Sequence, residues 1–316
     1  MKSSIVFMGT PEFAVASLEQ LVKTGIDVKA VITVPDKPAG RGQQIHESAV
    51  KKFAVENNLK ILQPANLKDE GFLAELKSLN ADLFVVVAFR MLPEVVWAMP
   101  PLGTINLHGS LLPQYRGAAP INWAVINGDK ETGATTFFIE REIDTGKIID
   151  QVVMPIRNED NAGAVHDALM EKGAQLLVKT VESIFNGTAR GKPQADFDLS
   201  ELKPAPKLFK ENCKIEWTEN RETIYNKIRG LSPYPAAWTE LQKDDQKKSL
   251  KIFQSKLAEE DTNYSGQIKV SKNQILIGCK DGWLEILELQ LEGKKRMPIH
   301  EFLNGFNLSE WKINSL

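Results

Sequence analysis

Short unbroken apolar runs alternate with amphipathic stretches through the first half of the chain. "SIVFM" at residues 4–8, "DVKAVITV" at 27–34, "LFVVVAF" at 83–89 and "TINLHG" at 104–109 read as strands. The run at 83–89 is apolar on both parities, as expected of a strand covered on both faces. Between these runs, "PEFAVASLEQLVKTG" and residues 48–58 carry the spacing of helices. The alternation predicts an α/β domain built on a Rossmann-like, doubly wound, mostly parallel sheet. At the first turn, "MGTPEF", Thr10 is placed to cap the following helix and Pro11 suits its first turn.

The pattern changes after residue 132. "GATTFFI" and "GKIIDQVVMPI" read as two neighbouring strands joined by the loop "EREIDT", and residues 162–187 form one long amphipathic helix. The stretch that follows is rich in proline and lacks periodicity. It predicts a linker at 190–207 between a domain at 1–189 and a second at 208–316. Beyond the linker, a helix over 222–230 precedes short strands with turn signals at Asn263, Gly266 and Asp281-Gly282, the pattern of a small β-barrel.

Composition narrows this picture modestly. The 316 residues are 42% hydrophobic and 25% charged, an ordinary globular balance, and contain no run of about 18 apolar residues that would cross a bilayer. Cys213 and Cys279 have no metal-ligand spacing, so a metal-free protein of the reducing cytoplasm is expected, with both thiols in the core. Net charge is −2, but unevenly spread: 20 Lys+Arg stand against 25 Asp+Glu up to residue 202, and 19 against 16 after it. A slightly basic second domain is compatible with a nucleic-acid partner and equally with ordinary solvated lysines. The first turn lacks GxGxxG, and no P-loop occurs, which argues against NAD and ATP as ligands.

Candidate chemistry lies in "TINLHG". Asn106 and His108 are two residues apart and share one face of the strand, at the carboxyl end where open α/β sheets bind ligands. An amide beside an imidazole suits a developing oxyanion and a moving proton. A carboxylate would hold the imidazole, and Asp144 in "REIDTGKI" is the best placed, with Glu140 and Glu142 as alternatives in the same loop. Asp144 can equally begin the Asp-Thr-Gly turn and do nothing more. No G-x-S-x-G elbow is present, which favours direct transfer over a covalent enzyme intermediate. His46, His166 and His300 receive no role.

"NLHGSLLPQYRGAAPINW" followed by "IDTGKI" resembles the 10-formyltetrahydrofolate-dependent formyltransferases. The matching residues are Asn106, His108, Ser110, Leu111, Leu112, Pro113, Arg116-Gly117, Pro120 and Asp144. "MGTPEFAVASLEQL", "PDKPAGRG", "KLFKENCKIEW", "IRGLSPYPAAW" and "DGWLEILELQLEGKKRM" extend the likeness over nearly the whole chain, toward the members acting on methionyl-tRNA. The resemblance implies a catalytic trio of Asn106, His108 and Asp144, and 10-formyltetrahydrofolate as co-substrate. It further implies a folate site lined by Ser110, Leu111, Leu112 and Pro113, with Val87, Arg90 and Leu92 at the pterin. Initiator methionyl-tRNA is the implied partner, contacted by Arg41 with Lys37 in the loop at 35–44 and by Lys207 and Lys210, while Lys203 is a further basic residue of the linker. The tail domain is implied to be OB-like, and a monomer without membrane association is expected. Two positions depart from the family pattern: Phe89-Arg90, where Tyr-Gly is common, and Gln43-Gln44, where further basic residues follow the Gly-Arg-Gly. A sugar-amine formyltransferase or a hydrolase of the same folate shares the trio; the basic loop and the barrel argue against both. A non-catalytic RNA-binding protein is disfavoured by the intact trio.

Overall fold

A computed structural model describes residues 3–39, 44–197, 199–258 and 265–313. The chain divides into two compact units, each assembled from three stretches: 1–117, 133–154 and 166–204 in the first, and 118–132, 155–165 and 205–316 in the second. The contiguous division drawn from sequence therefore differs from the packing, which assigns residues 118–132 and 155–165 to the unit of the carboxyl-terminal half.

In the first unit, β1 (Ser4–Gly9) leads to α1 (Glu12–Lys23) and β2 (Asp27–Ile32). A short pair, β3 (Lys37–Ala39) and β4 (Gln44–His46), precedes α2 (Ala49–Glu56), β5 (Ile61–Leu62) and α3 (Glu70–Ser78). The pattern reading passes over α3, although Asp69 caps it by accepting from the Phe72 N–H at 2.9 Å. Then come β6 (Leu83–Val87), α4 (Glu94–Trp97), β7 (Thr104–His108), α5 (Pro120–Ile126), β8 (Glu131–Phe138), β9 (Ile148–Pro155) and α6 (Ala162–Phe185). The main sheet has the order β5-β2-β1-β6-β7-β8-β9. Its first five strands run parallel, and β8 adds antiparallel to β7. This is the expected Rossmann-like winding, with the strand order reversing between β1 and β6.

Burial follows from that order. β1 and β6 are central and wholly buried, which is why their sequences are apolar on both parities. One face, with Val6, Met8, Ala30, Ile32, Phe84 and Val86, packs against Phe72 and Leu76 of α3 and Val96 of α4. At the first turn, Thr10 is not the cap: Pro11 occupies the N-cap position without a side-chain bond, so α1 begins one residue later than its sequence suggests. Gly9 is required there, because a Cβ would lie 2.6 Å from that of Ala14.

The second unit contains α7 (Arg221–Leu231) and then β10 (Ala237–Lys243), β11 (Gln246–Ala258), β12 (Ile268–Val270), β13 (Ile275–Cys279), β14 (Gly282–Leu291), β15 (Met297–Pro298), α8 (Ile299–Gly305) and β16 (Lys312–Ile313). The sheet order is β12-β13-β14-β11-β10-β16, antiparallel between neighbours, with β15 on β14. The turn Leu308–Glu310 lies beside β12 and brings the sheet close to a barrel. Its core holds Ile252, Ile277, Leu284, Leu289 and, from α7, Ile224 and Ile228. α5 belongs to the same unit: Asn122 Nδ2 donates to the Gly230 carbonyl at 2.8 Å, and a Cβ at Gly230 would meet Ile126 Cγ1 at 2.5 Å.

The stretch read as a linker is ordered along much of its length. Ile148 and Lys192 exchange backbone hydrogen bonds of 2.9 and 2.7 Å, residues Gln194–Asp196 form a 3-10 turn, and the Lys203 carbonyl accepts from the Tyr115 N–H at 2.7 Å.

Candidate active site

β7 positions the first two polar groups. Leu107 points toward α6, where a Cβ on Gly173 would lie 3.1 Å from Leu107 Cδ2. Asn106 and His108, of the opposite parity, therefore project from the other face. There they pair in register with Phe137 and Thr135 of β8. Asn106 is partly exposed, and among the described residues its carboxamide makes no hydrogen bond. His108 is only 7% exposed.

The imidazole is held from both sides. Nε2 lies 2.8 Å from the Tyr115 carbonyl. A carbonyl only accepts, so Nε2 carries a proton. Nδ1 faces Asp144 Oδ2 at 3.8 Å, beyond hydrogen-bond range but within ion-pair distance. The same Asp144 oxygen accepts from the Gly117 N–H at 2.9 Å. Of the three acids in this loop, Asp144 reaches the imidazole, whereas Glu140 and Glu142 are exposed. Asp144 sits at φ 56°, and Gly146 follows because a Cβ there would lie 1.7 Å from the Phe138 carbonyl oxygen.

The segment after His108 folds back over this face. The Thr135 hydroxyl donates to the Ser110 carbonyl at 2.7 Å and accepts from the Leu112 N–H at 3.1 Å. Gln151 Nε2 donates to Thr135 Oγ1 and to the Leu112 carbonyl, both at 2.9 Å. Ser110 is fully buried and its hydroxyl donates to the Gln114 carbonyl at 2.6 Å, so its donor is spent inside the loop. Leu112 packs with Phe137 and Ile148, Pro113 is buried, and Leu111 is partly exposed. Val87 and Leu92 are core residues. The Arg90 guanidinium donates to the carbonyls of Pro64 and Ala65, tying the segment after β6 to that after β5, and burial pushes its pKa down.

The basic residues fall elsewhere. Arg41 lies outside the described residues. Lys37 is exposed and lines a cavity of about 470 Å³ at the first turn, with Thr10, Phe13, Pro35, His46 and His166; the trio does not contribute to it. Asn106, His108 and Asp144 lie apart from this cavity, on the β7 face and in the loop before β9. Lys207 and Lys210 are exposed in the second unit, with ammonium groups 5.5 Å and 5.1 Å from the ring centres of Phe209 and Trp238. Among the described residues, no group of three or more His, Cys, Asp or Glu could hold a metal, and no helix is long and apolar enough to cross a membrane.

Sequence reasoning missed Thr135, Gln151 and Gln194, which hold the site. None of the three carried a signal in the sequence: the register that puts Thr135 opposite His108 exists only in the folded sheet.

A Rossmann-like sheet with this polar set at one strand end, joined to a near-barrel, defines the class. The chain belongs to the formyl transferase family: the formyl transferase model matches residues 1–181 and the model of the formyl transferase C-terminal domain matches 207–307. Its relatives include the methionyl-tRNA formyltransferases of Parabacteroides distasonis, 58% identical over 98% of both chains, and of Flavobacterium johnsoniae, 55% identical over 98% of both. Among solved structures, the sugar 3N-formyl transferase WlaRD superposes with a TM-score of 0.65 at 23% identity, covering 93% of this chain and all of its own. HypX from Aquifex aeolicus in complex with tetrahydrofolic acid superposes with a TM-score of 0.64 at 18% identity, covering 96% of this chain and 47% of its own. At these identities the two structures speak for the fold alone.

Proposed function

We propose that this chain transfers a formyl group from 10-formyltetrahydrofolate to the α-amine of methionine on initiator tRNA. The observation that carries the reading is near-full-length identity above half to relatives named methionyl-tRNA formyltransferase, joined to an open Asn106 amide beside the His108–Asp144 pair.

The chemistry follows from the free positions. Asn106 has a carboxamide N–H to spare and would donate to the formyl oxygen as it becomes an oxyanion. The amine, with a pKa of about 8, is partly unprotonated at neutral pH and attacks the formyl carbon. His108 Nε2 is committed to Tyr115, which leaves Nδ1 to take the proton released from the amine. Asp144 steadies the resulting imidazolium. As the new carbon–nitrogen bond is completed and the bond to the folate nitrogen breaks, His108 returns the proton to that leaving nitrogen. The electrons and the proton balance without a metal or a covalent enzyme intermediate.

Backbone around residues 87–92 and the loop of Ser110, Leu111, Leu112 and Pro113 would border the folate, with Arg90 shaping the loop rather than touching the ligand. Lys37, Lys207 and Lys210 are exposed cations suited to tRNA phosphates, and Arg41 is assigned to the acceptor end. The chain is taken to act as a cytoplasmic monomer.

The test is formyl transfer to methionyl initiator tRNA, to methionyl elongator tRNA, to free methionine and to an amino sugar nucleotide. Preferred use of the initiator species is expected. Equal transfer to free methionine would remove the tRNA, and transfer to the sugar amine alone would make the chain a sugar enzyme. Arg41→Ala is expected to raise the KM for tRNA and flatten its salt dependence while sparing the folate KM.

A further inference from the structure

Gln194 stands in the stretch that sequence reads as linker, yet its side chain is buried to 4% exposure and all four of its hydrogen-bonding positions are used. Oε1 accepts from Arg116 Nε at 3.0 Å and Nη2 at 2.6 Å. Nε2 donates to the carbonyls of Asp144 and Gly146, both at 2.8 Å. One carboxamide thus grips two loops. The first carries Asp144, whose φ of 56° costs a non-glycine residue energy unless neighbours fix it. The second carries Gly117, next to Arg116, and the Gly117 N–H is the donor that meets the Asp144 carboxylate. The backbone exchange between Lys192 and Ile148 sets where Gln194 enters.

We propose that Gln194 is a positioning residue for the transfer reaction: it sets the Asp144 carboxylate against the His108 imidazole from behind, by holding both the loop that bears the carboxylate and the loop that receives it. The inference rests on the reading of His108 and Asp144 as a working pair. It gives the stretch between the two family-matched segments a part in catalysis. Asp144 has no covalent tether aiming it at His108, and the ion-pair distance of 3.8 Å leaves little slack. Misplacement of about 1 Å in such a group costs rate up to about a hundredfold.

Two substitutions separate positioning from folding. Gln194→Met keeps the volume and removes all four bonds. Gln194→Glu keeps an acceptor for Arg116 but sets a carboxylate oxygen against the carbonyls of Asp144 and Gly146. Each is expected to lower kcat about ten- to hundredfold, with the folate KM changed by less than about threefold. The decisive measurement is a cycle with Asp144→Asn. If Gln194 acts through Asp144, Gln194→Met has almost no further effect on kcat once Asp144 is Asn. An equal loss of kcat in both backgrounds would overturn the inference while leaving the Asp144 assignment standing. Full activity of Asp144→Asn would instead overturn the His108–Asp144 reading and this inference with it. Unchanged kcat in both Gln194 variants, or failure of both to fold, makes Gln194 a residue of the fold alone and likewise overturns it.

Discussion

Asp144 Oδ2 lies 3.8 Å from Nδ1 of His108 while accepting a 2.9 Å hydrogen bond from the Gly117 N–H. The carboxylate is therefore anchored through one partner and charged toward the other. Asp144→Asn retains an oxygen for Gly117 and loses the charge facing the imidazole. It is expected to melt within a few degrees of wild type and to lose up to about 10⁴ in kcat, the order of loss when the carboxylate that orients a proton-transferring imidazole becomes an amide. Steady-state kinetics beside a thermal melt checks this; a folded variant with wild-type kcat removes Asp144 from the reaction.

Asn106 contributes little to folding, since its amide has no partner among the described residues and is partly exposed. Asn106→Ala is expected to change stability by less than about 0.5 kcal/mol. It should lower kcat by about 10²–10³, the cost of losing one oxyanion donor. Denaturant unfolding and single-turnover transfer report the two effects separately, and a large stability loss with an intact rate would reverse the assignment.

Thr135 presents the opposite case. Its hydroxyl bonds the Ser110 carbonyl and the Leu112 N–H, and Val has the shape but not the bonds. Thr135→Val leaves buried polar groups without partners and is expected to cost about 1–3 kcal/mol. The urea midpoint should fall with an unchanged m-value. A neutral substitution would mean that the loop of Ser110 and Leu112 is held by Gln151 alone.

How much of this was legible in the sequence depends on what each inference required. Asn106 and His108 were readable because strand parity forces them onto one face, whatever the rest of the fold does. Asp144 was the best placed acid of its loop, but Glu140 and Glu142 stayed open as alternatives, since the three share the same chemistry. The difference lies in tertiary geometry: Gly146 approaches the Phe138 carbonyl where no Cβ fits, and the turn swings Asp144 inward. Gln194 was invisible because its partners lie 78 residues upstream in Arg116 and 50 in Asp144. Proline-rich sequence without periodicity gives no sign of such long-range bonds. Thr10 was misread as a cap because its residue type is right and only its position is off by one.

The thiol of Cys279 offers a pH test in the second unit. Its side chain is fully buried, and burial pushes its pKa up from 9.0 to about 12. Above pH 9 the unfolded chain releases this proton and the folded chain keeps it. Stability therefore falls as pH rises, by up to about 1.4 kcal/mol per unit, between those two values. Denaturant unfolding of wild type and Cys279→Ala at pH 8 and pH 10.5 isolates the effect: the wild type should lose more. Parallel losses would show that the thiol ionises alike in both states. At pH 8 neither Cys213 nor Cys279 should react with a thiol reagent in the native protein.

The hydrogen bond from Asn122 to the Gly230 carbonyl and the close fit of Ile126 on Gly230 bind α5, from the middle of the chain, to α7 beyond the stretch at 190–207. A fragment ending near residue 204 would expose the α5 surface that α7 covers, and a fragment starting there would lack α5 altogether. The barrel half is thus no interchangeable cassette: grafting it between relatives means carrying α5 along, and sequence change on either of those two helices has to be answered on the other.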